Sequence, residues 1–187
     1  MDAYVDLRLL PDPEFPQPLL MNALFAKFHR GLVAHGEGRI GISFPEVDAR
    51  RPSLGACLRL HGGAGELSAF LGSGWLAGMA DHLAVGQVAP VPPGAGHCLV
   101  RRVQAKSSPE RLRRRLMRRK GIGEAEAAEA IPDASARRLD LPYLTLRSAS
   151  TGQQFRLFIE HLPAQAGASP GAFSAYGLSP TATLPWF

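Results

Sequence analysis

Hydrophobic and polar positions alternate at the start of the chain and predict a strand over Tyr4–Leu10. Apolar residues then recur at helical spacing and predict a helix over Pro18–Ala34. The same patterns predict strands over Arg39–Phe44, Ala56–His61 and Leu83–Val88, and a short second helix over Ala64–Leu71. The resulting order, β-α-β-β-α-β, is that of the ferredoxin-like unit, in which two helices cover one face of an antiparallel sheet.

A Pro- and Gly-rich stretch, Ala89–Gly96, predicts a linker between two parts of the chain. Beyond it, patterns predict strands over Cys98–Gln104, Leu141–Leu146 and Phe155–Ile159, and a short helix over Glu124–Ala130; the tail Phe173–Phe187 is broken by prolines. We therefore predict an α+β protein with a ferredoxin-like domain at residues 1–92 and an α+β domain at 93–187.

The second part also contains a strongly basic helix. Arg101–Lys120 holds ten of the 21 Lys and Arg residues and one of the 16 acids, so the segment carries +9 and the remainder −4. Ser108, Pro109 and Glu110 are typical of a helix start, and Gly121 of a helix end. On a helical wheel one arc collects five arginines, with two leucines beside it: Arg111, Arg114, Arg115, Arg118, Arg119, Leu112 and Leu116.

One-sided arginines without interleaved acids indicate a polyanionic partner. A membrane-surface helix needs a larger apolar face than these leucines supply, and an acidic protein partner remains an alternative. Nucleic acid is favoured because guanidinium groups bind phosphates in pairs of hydrogen bonds and also reach guanine edges. A hairpin of RNA presents a phosphate-lined groove that suits such a helix.

Bulk properties exclude several classes of protein. The 187 residues contain no apolar stretch long enough for a membrane span, and the acidic N-terminus is unlike a signal peptide. The two cysteines and six histidines form no metal-binding or redox motif. We expect a cytoplasmic protein with no membrane partner, no metal and no cofactor.

A few residues combine suitable chemistry with suitable positions. Arg102 and Gln104 lie two apart on a predicted strand, and these types pair with guanine and adenine, although two solvent-facing polar residues explain the spacing equally well. His29 lies at the edge of the buried stripe of its helix. The segment Leu146–Phe155 is rich in hydroxyls and ends in an aromatic ring, which suits either a polar loop or contacts to a ribose and a base.

Longer segments resemble a known family, the CRISPR repeat-cleaving endoribonucleases of type I-F systems. The resemblance spans essentially the whole chain. It rests on DLRLLPDPEFP, LFAKFH, RIGISFP, VQAKSSPERLRRRLMRRK, LDLPYLTLRSASTGQQFRLFI and YGLSPTATLPWF. It differs at Lys120, where the family pattern has histidine, and in the loop Pro90–His97.

The resemblance implies the roles of individual residues. His29 would be the catalytic histidine, Ser148 would hold the nucleophilic 2′-hydroxyl, and Tyr176 would orient the histidine. The implied RNA-binding residues are Arg102, Gln104, Arg111, Arg114, Arg115, Arg118, Arg119, Lys120, Ser150 and Phe155. The implied partners are the repeat hairpin of CRISPR precursor RNA, the mature guide RNA and other subunits of the type I-F surveillance complex.

The implied reaction is metal-independent cleavage at the 3′ foot of the repeat stem by attack of a ribose 2′-hydroxyl. Histidine suits the proton transfer because its ordinary pKa lies near neutral pH. Two alternatives remain: a hairpin-binding subunit of a guide-RNA complex without catalysis, and a basic adaptor for an acidic protein.

Overall fold

The structure is a computed structural model that describes residues 1–35, 38–48, 50, 52–104, 109–132, 139–148 and 151–187. Two compact units are present, one formed by Met1–Val103 with Leu141–Phe187 and the other by Gln104–Asp140. Two antiparallel sheets and four α-helices among the described residues confirm the α+β class. The division into domains at residue 92 stays a prediction.

The first sheet lies in the N-terminal part of the larger unit. Its elements are β1 (Ala3–Leu9), α1 (Gln17–His35), β2 (Gly41–Ser43), β3 (Cys57–Gly62), α2 (Ala64–Gly72) and β4 (Leu83–Val85). The strands lie in the order β2-β3-β1-β4, and each pairs antiparallel with its neighbour. The β-α-β-β-α-β order predicted from the sequence is therefore observed, with β4 shorter than expected.

A short strand lies inside the predicted linker. β5 (Ala89–Pro90) pairs antiparallel with the start of β1, at the register Ala3 to Pro90 and Tyr4 to Ala89. The expectation of a purely connecting segment is wrong at these two residues. Proline is tolerated there because an edge strand leaves one side of its backbone without a sheet partner.

The second sheet also belongs to the larger unit. Its strands are β6 (Gly96–Val103), β7 (Tyr143–Arg147), β8 (Gln154–His161) and β9 (Thr183–Trp186), in the order β7-β8-β6-β9. Two expectations change. The tail contributes a strand, β9, and β6 ends at Val103, so Gln104 follows the strand instead of sharing a face of it with Arg102.

Helix α1 connects the two sheets. One side of α1, with Phe25 and Phe28, is buried in a hydrophobic core that the two sheets share. The second sheet contributes Leu144 and Leu157 to this core. On another side, Asn22 Oδ1 accepts a hydrogen bond of 2.9 Å from the backbone N–H of Thr145 on β7. This hydrogen bond holds α1 beside β7.

The smaller unit contains α3 (Pro109–Lys120) and α4 (Glu124–Ala130). Gly121, with a φ of 67°, ends α3 in the left-handed conformation that glycine adopts without strain. Arg113 ties the two helices together, because its Nε donates to the Ile131 carbonyl at 2.8 Å. Ser108, the predicted cap, lies outside the described residues. None of the described helices is long and apolar enough to cross a membrane.

Candidate active site

A cavity of about 450 Å³ opens in the larger unit beside α1. It is bounded by one face of α1, by the end of β7, by the start of β8 and by a turn before β9. The lining residues are Ala26, His29, Arg30, Val33, Leu146, Arg147, Ser148, Phe155 and Tyr176. The three residues that the resemblance marks as catalytic, His29, Ser148 and Tyr176, therefore share one cavity although they lie far apart in sequence.

The His29 ring is held in one tautomer. Its Nδ1 lies 2.8 Å from the carbonyl oxygen of Ala175, and a carbonyl only accepts hydrogen bonds, so Nδ1 carries the proton. In the neutral ring the other nitrogen, Nε2, then has a lone pair. A neutral imidazole with Nδ1–H fixed and Nε2 basic is the form that removes a proton from a substrate.

Tyr176 fixes the plane of the same ring. The two rings stack with centroids 4.2 Å apart and planes 8° from parallel. The Tyr176 ring is also nearly parallel to Phe25, at 6.4 Å between centroids. The imidazole is thus restrained by a hydrogen bond at its edge and by an aromatic ring on its face.

The turn that carries Tyr176 is itself anchored. Gly177 N–H donates to the Ser174 carbonyl at 2.8 Å, and the Gly177 carbonyl accepts from Ile42 N–H of the first sheet at 2.9 Å. Gly177 has a φ of 67°, and an added Cβ would lie 3.0 Å from both Phe28 and Ile42. A glycine is therefore required here for the turn to sit close to α1 and to present the Ala175 carbonyl.

Ser148 lies at the start of the connection between β7 and β8. Its N–H donates to the Gln153 carbonyl at 2.9 Å, its carbonyl accepts from Gly152 N–H at 2.9 Å, and its Oγ accepts from Thr151 N–H at 3.2 Å. Arg147 Nε donates to the Gly152 carbonyl at 2.9 Å. These contacts within the connection hold the hydroxyl at the cavity. Ser150 lies outside the described residues, and its role stays a prediction.

Phe155 and Arg102 form the aromatic and cationic edge of this region. The Arg102 guanidinium carbon lies 6.0 Å from the Phe155 ring centre and 5.7 Å from that of Tyr176. Phe155 is half-buried, whereas Arg102 is exposed. A flat ring next to a guanidinium group suits a base or base pair, which stacks on the ring and bonds to the cation.

Three other histidines have structural positions. His61 Nε2 lies 2.8 Å from Ser43 Oγ, His161 Nε2 accepts from Phe44 N–H at 3.1 Å, and His82 Nδ1 lies 2.8 Å from Asp12. Burial lowers the pKa of His61 to about 3 and that of His161 to about 4. His61 and His161 are therefore neutral packing residues at neutral pH, whereas the His29 ring lines an open cavity.

In the smaller unit, the arginines of α3 lie as the helical wheel predicted. The side chains of Arg111, Arg114, Arg115, Arg118, Arg119 and Lys120 are exposed, and those of Leu112, Arg113, Leu116 and Met117 are half-buried. The opposite sides of α3 therefore differ in character. Gln104 is also exposed. Contacts of these residues with RNA stay predictions.

Sequence reasoning missed two charged residues that line the cavity, Arg30 and Arg147. Arg30 follows His29 directly and Arg147 precedes Ser148, so their positions beside the predicted catalytic residues were the only signal. It also missed the Ala175 carbonyl, because a backbone acceptor has no signature in the side-chain pattern.

Comparison with known sequences places the chain in a class of proteins. A family model described as CRISPR-associated protein (Cas_Csy4) matches residues 4–187. The chain therefore belongs to this family, which confirms the resemblance predicted from its motifs.

Two relatives match over their full length and over all of this chain. A protein of Pseudomonas aeruginosa (strain UCBPP-PA14) is 56% identical over 187 residues. A second, of Escherichia coli (strain UTI89 / UPEC), is 47% identical over 187 residues. Both are named CRISPR-associated endonuclease Cas6/Csy4.

Proposed function

We propose that this chain is an endoribonuclease that cuts CRISPR precursor RNA at the 3′ foot of the repeat hairpin without a metal ion. Family membership and the names of the two relatives support an endonuclease. The single observation that carries the mechanism is the His29 ring, with Nδ1–H bound to the Ala175 carbonyl and Nε2 left basic in the same cavity as Ser148.

In the proposed reaction Nε2 of His29 takes the proton from a ribose 2′-hydroxyl that is held by Ser148. The 2′-oxygen then forms a bond to the adjacent phosphorus, and the bond from phosphorus to the 5′-oxygen breaks. The leaving 5′-oxygen takes a proton from solvent, so the products are a 2′,3′-cyclic phosphate and a 5′-hydroxyl. Tyr176 keeps the imidazole in the plane that this transfer needs, because it stacks on the ring.

The donor set of the cavity supports a metal-free route. Mg²⁺ in nucleases is bound by carboxylates, and among the residues that the structure describes none that lines the cavity is Asp or Glu. The lining side chains offer instead a base, a hydroxyl and two guanidinium groups. These side-chain groups are sufficient for proton transfer and for phosphate binding.

RNA binding is assigned to two groups of residues. Phe155 would stack on the last base pair of the stem, and Arg102 and Gln104 would read bases at its foot. The exposed side of α3, with Lys120, would bind phosphates and the groove of the hairpin. Tight product binding would retain the guide RNA and allow the complex to join the other subunits of a type I-F surveillance complex.

The decisive test uses purified protein and the repeat hairpin encoded beside its gene. We expect cleavage in excess EDTA, product ends with a cyclic phosphate and a 5′-hydroxyl, and no cleavage when the scissile nucleotide has a 2′-deoxyribose. His29→Ala should bind the hairpin with nearly unchanged Kd and fail to cut it. Cleavage of the 2′-deoxy RNA, or loss of activity in EDTA, would contradict the mechanism.

The same assay addresses the alternative of a non-catalytic hairpin-binding subunit. Wild-type protein that binds the hairpin tightly and leaves it intact under all these conditions would favour that alternative. Binding without any preference for the hairpin would count against both.

A further inference from the structure

One residue of the cavity has a chemical role that the proposed mechanism leaves unfilled. As the 2′-oxygen bonds to phosphorus, the phosphate acquires a second negative charge. His29 begins the reaction as a neutral base and Ser148 and Tyr176 carry no charge, so none of the three supplies a cation to the starting complex. A fixed positive group aimed at the phosphate would lower the barrier, because it interacts more strongly as the charge develops.

Arg30 lies on the face of α1 that borders the cavity. Ala26, His29, Arg30 and Val33 all line it. Residues spaced by three, four and seven positions form a single helix face, so this set is one continuous surface of α1. Val33 is 66% exposed, which shows that the surface is open to a large substrate at this end. Arg30 therefore borders the same open cavity surface as His29.

The positive charge of Arg30 has no described counter-charge. Its side chain is exposed, and no hydrogen bond or ion pair joins it to any residue that the structure describes. Within the described part of the chain, no carboxylate lines the cavity to neutralise it. The second guanidinium, that of Arg147, donates through Nε to the Gly152 carbonyl and so helps to hold the connection that carries Ser148. Arg147 is thus committed in part to a structural contact, whereas the Arg30 guanidinium has no such contact with a described residue.

We propose that Arg30 binds the non-bridging oxygens of the scissile phosphate and stabilises the charge that develops on them. Arginine suits this role because it stays protonated and presents two parallel N–H donors to a phosphate. Arg30 would then be a further catalytic residue, with a task separate from the proton transfer at His29. The inference rests on the proposed function, since it requires that RNA is cut at this cavity.

The test measures the single-turnover cleavage rate and the Kd for the same repeat hairpin. Arg30→Ala should slow cleavage by about 100-fold, the usual cost of one lost donor to a developing oxyanion. Its Kd should rise less than about tenfold, because most phosphate contacts lie elsewhere. Arg30→Lys should recover part of the rate, and added guanidinium ion should partly restore Arg30→Ala.

Arg50→Ala is the matched control. Arg50 is exposed, carries the same charge and does not line the cavity. Its loss should leave the rate unchanged. A phosphorothioate at the scissile linkage adds a readout that folding does not affect: the wild type should cut the two diastereomers at different rates, and Arg30→Ala should reduce that difference.

The outcomes separate the two hypotheses. If wild type cuts the hairpin, His29→Ala does not, and Arg30→Ala cuts at the wild-type rate, the role of Arg30 is wrong and the proposed function stands. An effect of Arg30→Ala on Kd alone, without an effect on the single-turnover rate, also overturns the role. If His29→Ala cuts normally, the proposed function itself fails.

Discussion

The chemistry of His29 depends on a backbone atom 146 residues away in sequence, the Ala175 carbonyl that fixes its tautomer. The carbonyl is held in place by the turn formed by Ser174 and Gly177, and this turn is bonded to Ile42 of the first sheet. Removing the histidine therefore tests only part of the arrangement. A change that moves the carbonyl and leaves the imidazole present tests the rest.

Gly177→Ala is such a change. The left-handed φ of 67° and the close approach of Phe28 and Ile42 oppose a Cβ, so the turn should shift away from α1. We expect the free energy of unfolding to fall by about 1–2 kcal/mol. Cleavage should slow by at least about tenfold, because the His29 proton and ring plane are no longer held.

Gly94→Ala is the control for this prediction. Gly94 has a φ of 81°, but an added Cβ there meets no atom within 4 Å. It should lower stability by a similar backbone cost while the cleavage rate stays near that of the wild type. If Gly177→Ala cuts as fast as Gly94→Ala, the turn does not orient His29.

For individual residues, part of the site can be predicted from the sequence. His29 is recognisable as a histidine at the edge of a buried helical stripe, and the hydroxyl-rich segment around Ser148 stands out by composition. His29 and Ser148 line one cavity although they lie far apart in the sequence, and hydrophobic periodicity does not predict that proximity. The link to Tyr176 came from family resemblance, because an isolated tyrosine in a proline-broken tail has no pattern of its own.

Among the elements, α3 has two sides that differ in exposure. The arginines at 111, 114, 115, 118 and 119 are exposed, whereas Arg113 is half-buried and bound to the Ile131 carbonyl at the end of α4. Net charge alone does not distinguish Arg113 from the exposed arginines, because all of them carry the same charge. If the exposed side binds RNA phosphates, the position of an arginine on the helix decides its contribution.

The salt dependence of hairpin binding tests this distinction. The variants Arg115→Ala, Arg118→Ala and Arg119→Ala should each weaken binding. Each should also make the negative slope of log K against log salt less steep by up to about 0.9, the value for one lost phosphate contact. Arg113→Ala removes the same charge and should leave the slope nearly unchanged, although it should loosen α4 against α3. Equal slopes for Arg113→Ala and Arg115→Ala would show that the one-sided face is not the binding surface.

Elements with a clear period were predictable, whereas the two short strands that contain a proline, β5 and β9, were not. α3 was recognised from its start and end signals, and its observed bounds, Pro109–Lys120, agree with Pro109 and Gly121 as those signals. β9 was missed because Pro185 lies within it, and proline argues against a strand. The structure resolves this conflict, since β9 is an edge strand that pairs with β6 and with no other described strand, and a missing N–H costs little there.

In the larger unit as a whole, the site depends on how the two sheets are joined. Ile42 N–H bonds to the Gly177 carbonyl, Asn22 bonds to Thr145, and Phe44 N–H donates to His161 on β8. The first contact holds the turn that carries Ala175 against the first sheet, and the second holds β7 beside α1. The third depends on a buried imidazole that has to stay neutral, because protonated Nε2 no longer accepts a hydrogen bond.

That requirement predicts a loss of stability in mild acid. Folding lowers the pKa of His61 to about 3 and of His161 to about 4, so the unfolded chain binds more protons than the folded one below the ordinary histidine pKa. From about pH 6.5 down towards pH 4, the free energy of unfolding should fall by up to about 1.4 kcal/mol per pH unit for each ring. The lowered pKa values of the Asp12 and Glu46 carboxyls add a further loss only at lower pH.

Urea denaturation across this range measures the slope of the free energy of unfolding against pH. His161→Gln, whose amide oxygen can accept from Phe44 N–H, should remove the part of that slope that His161 contributes. A stability that stays flat down to about pH 4.5 would contradict neutral buried imidazoles. If the free energy of unfolding falls in this way, cleavage rates at low pH have to be compared with the folded fraction at the same pH.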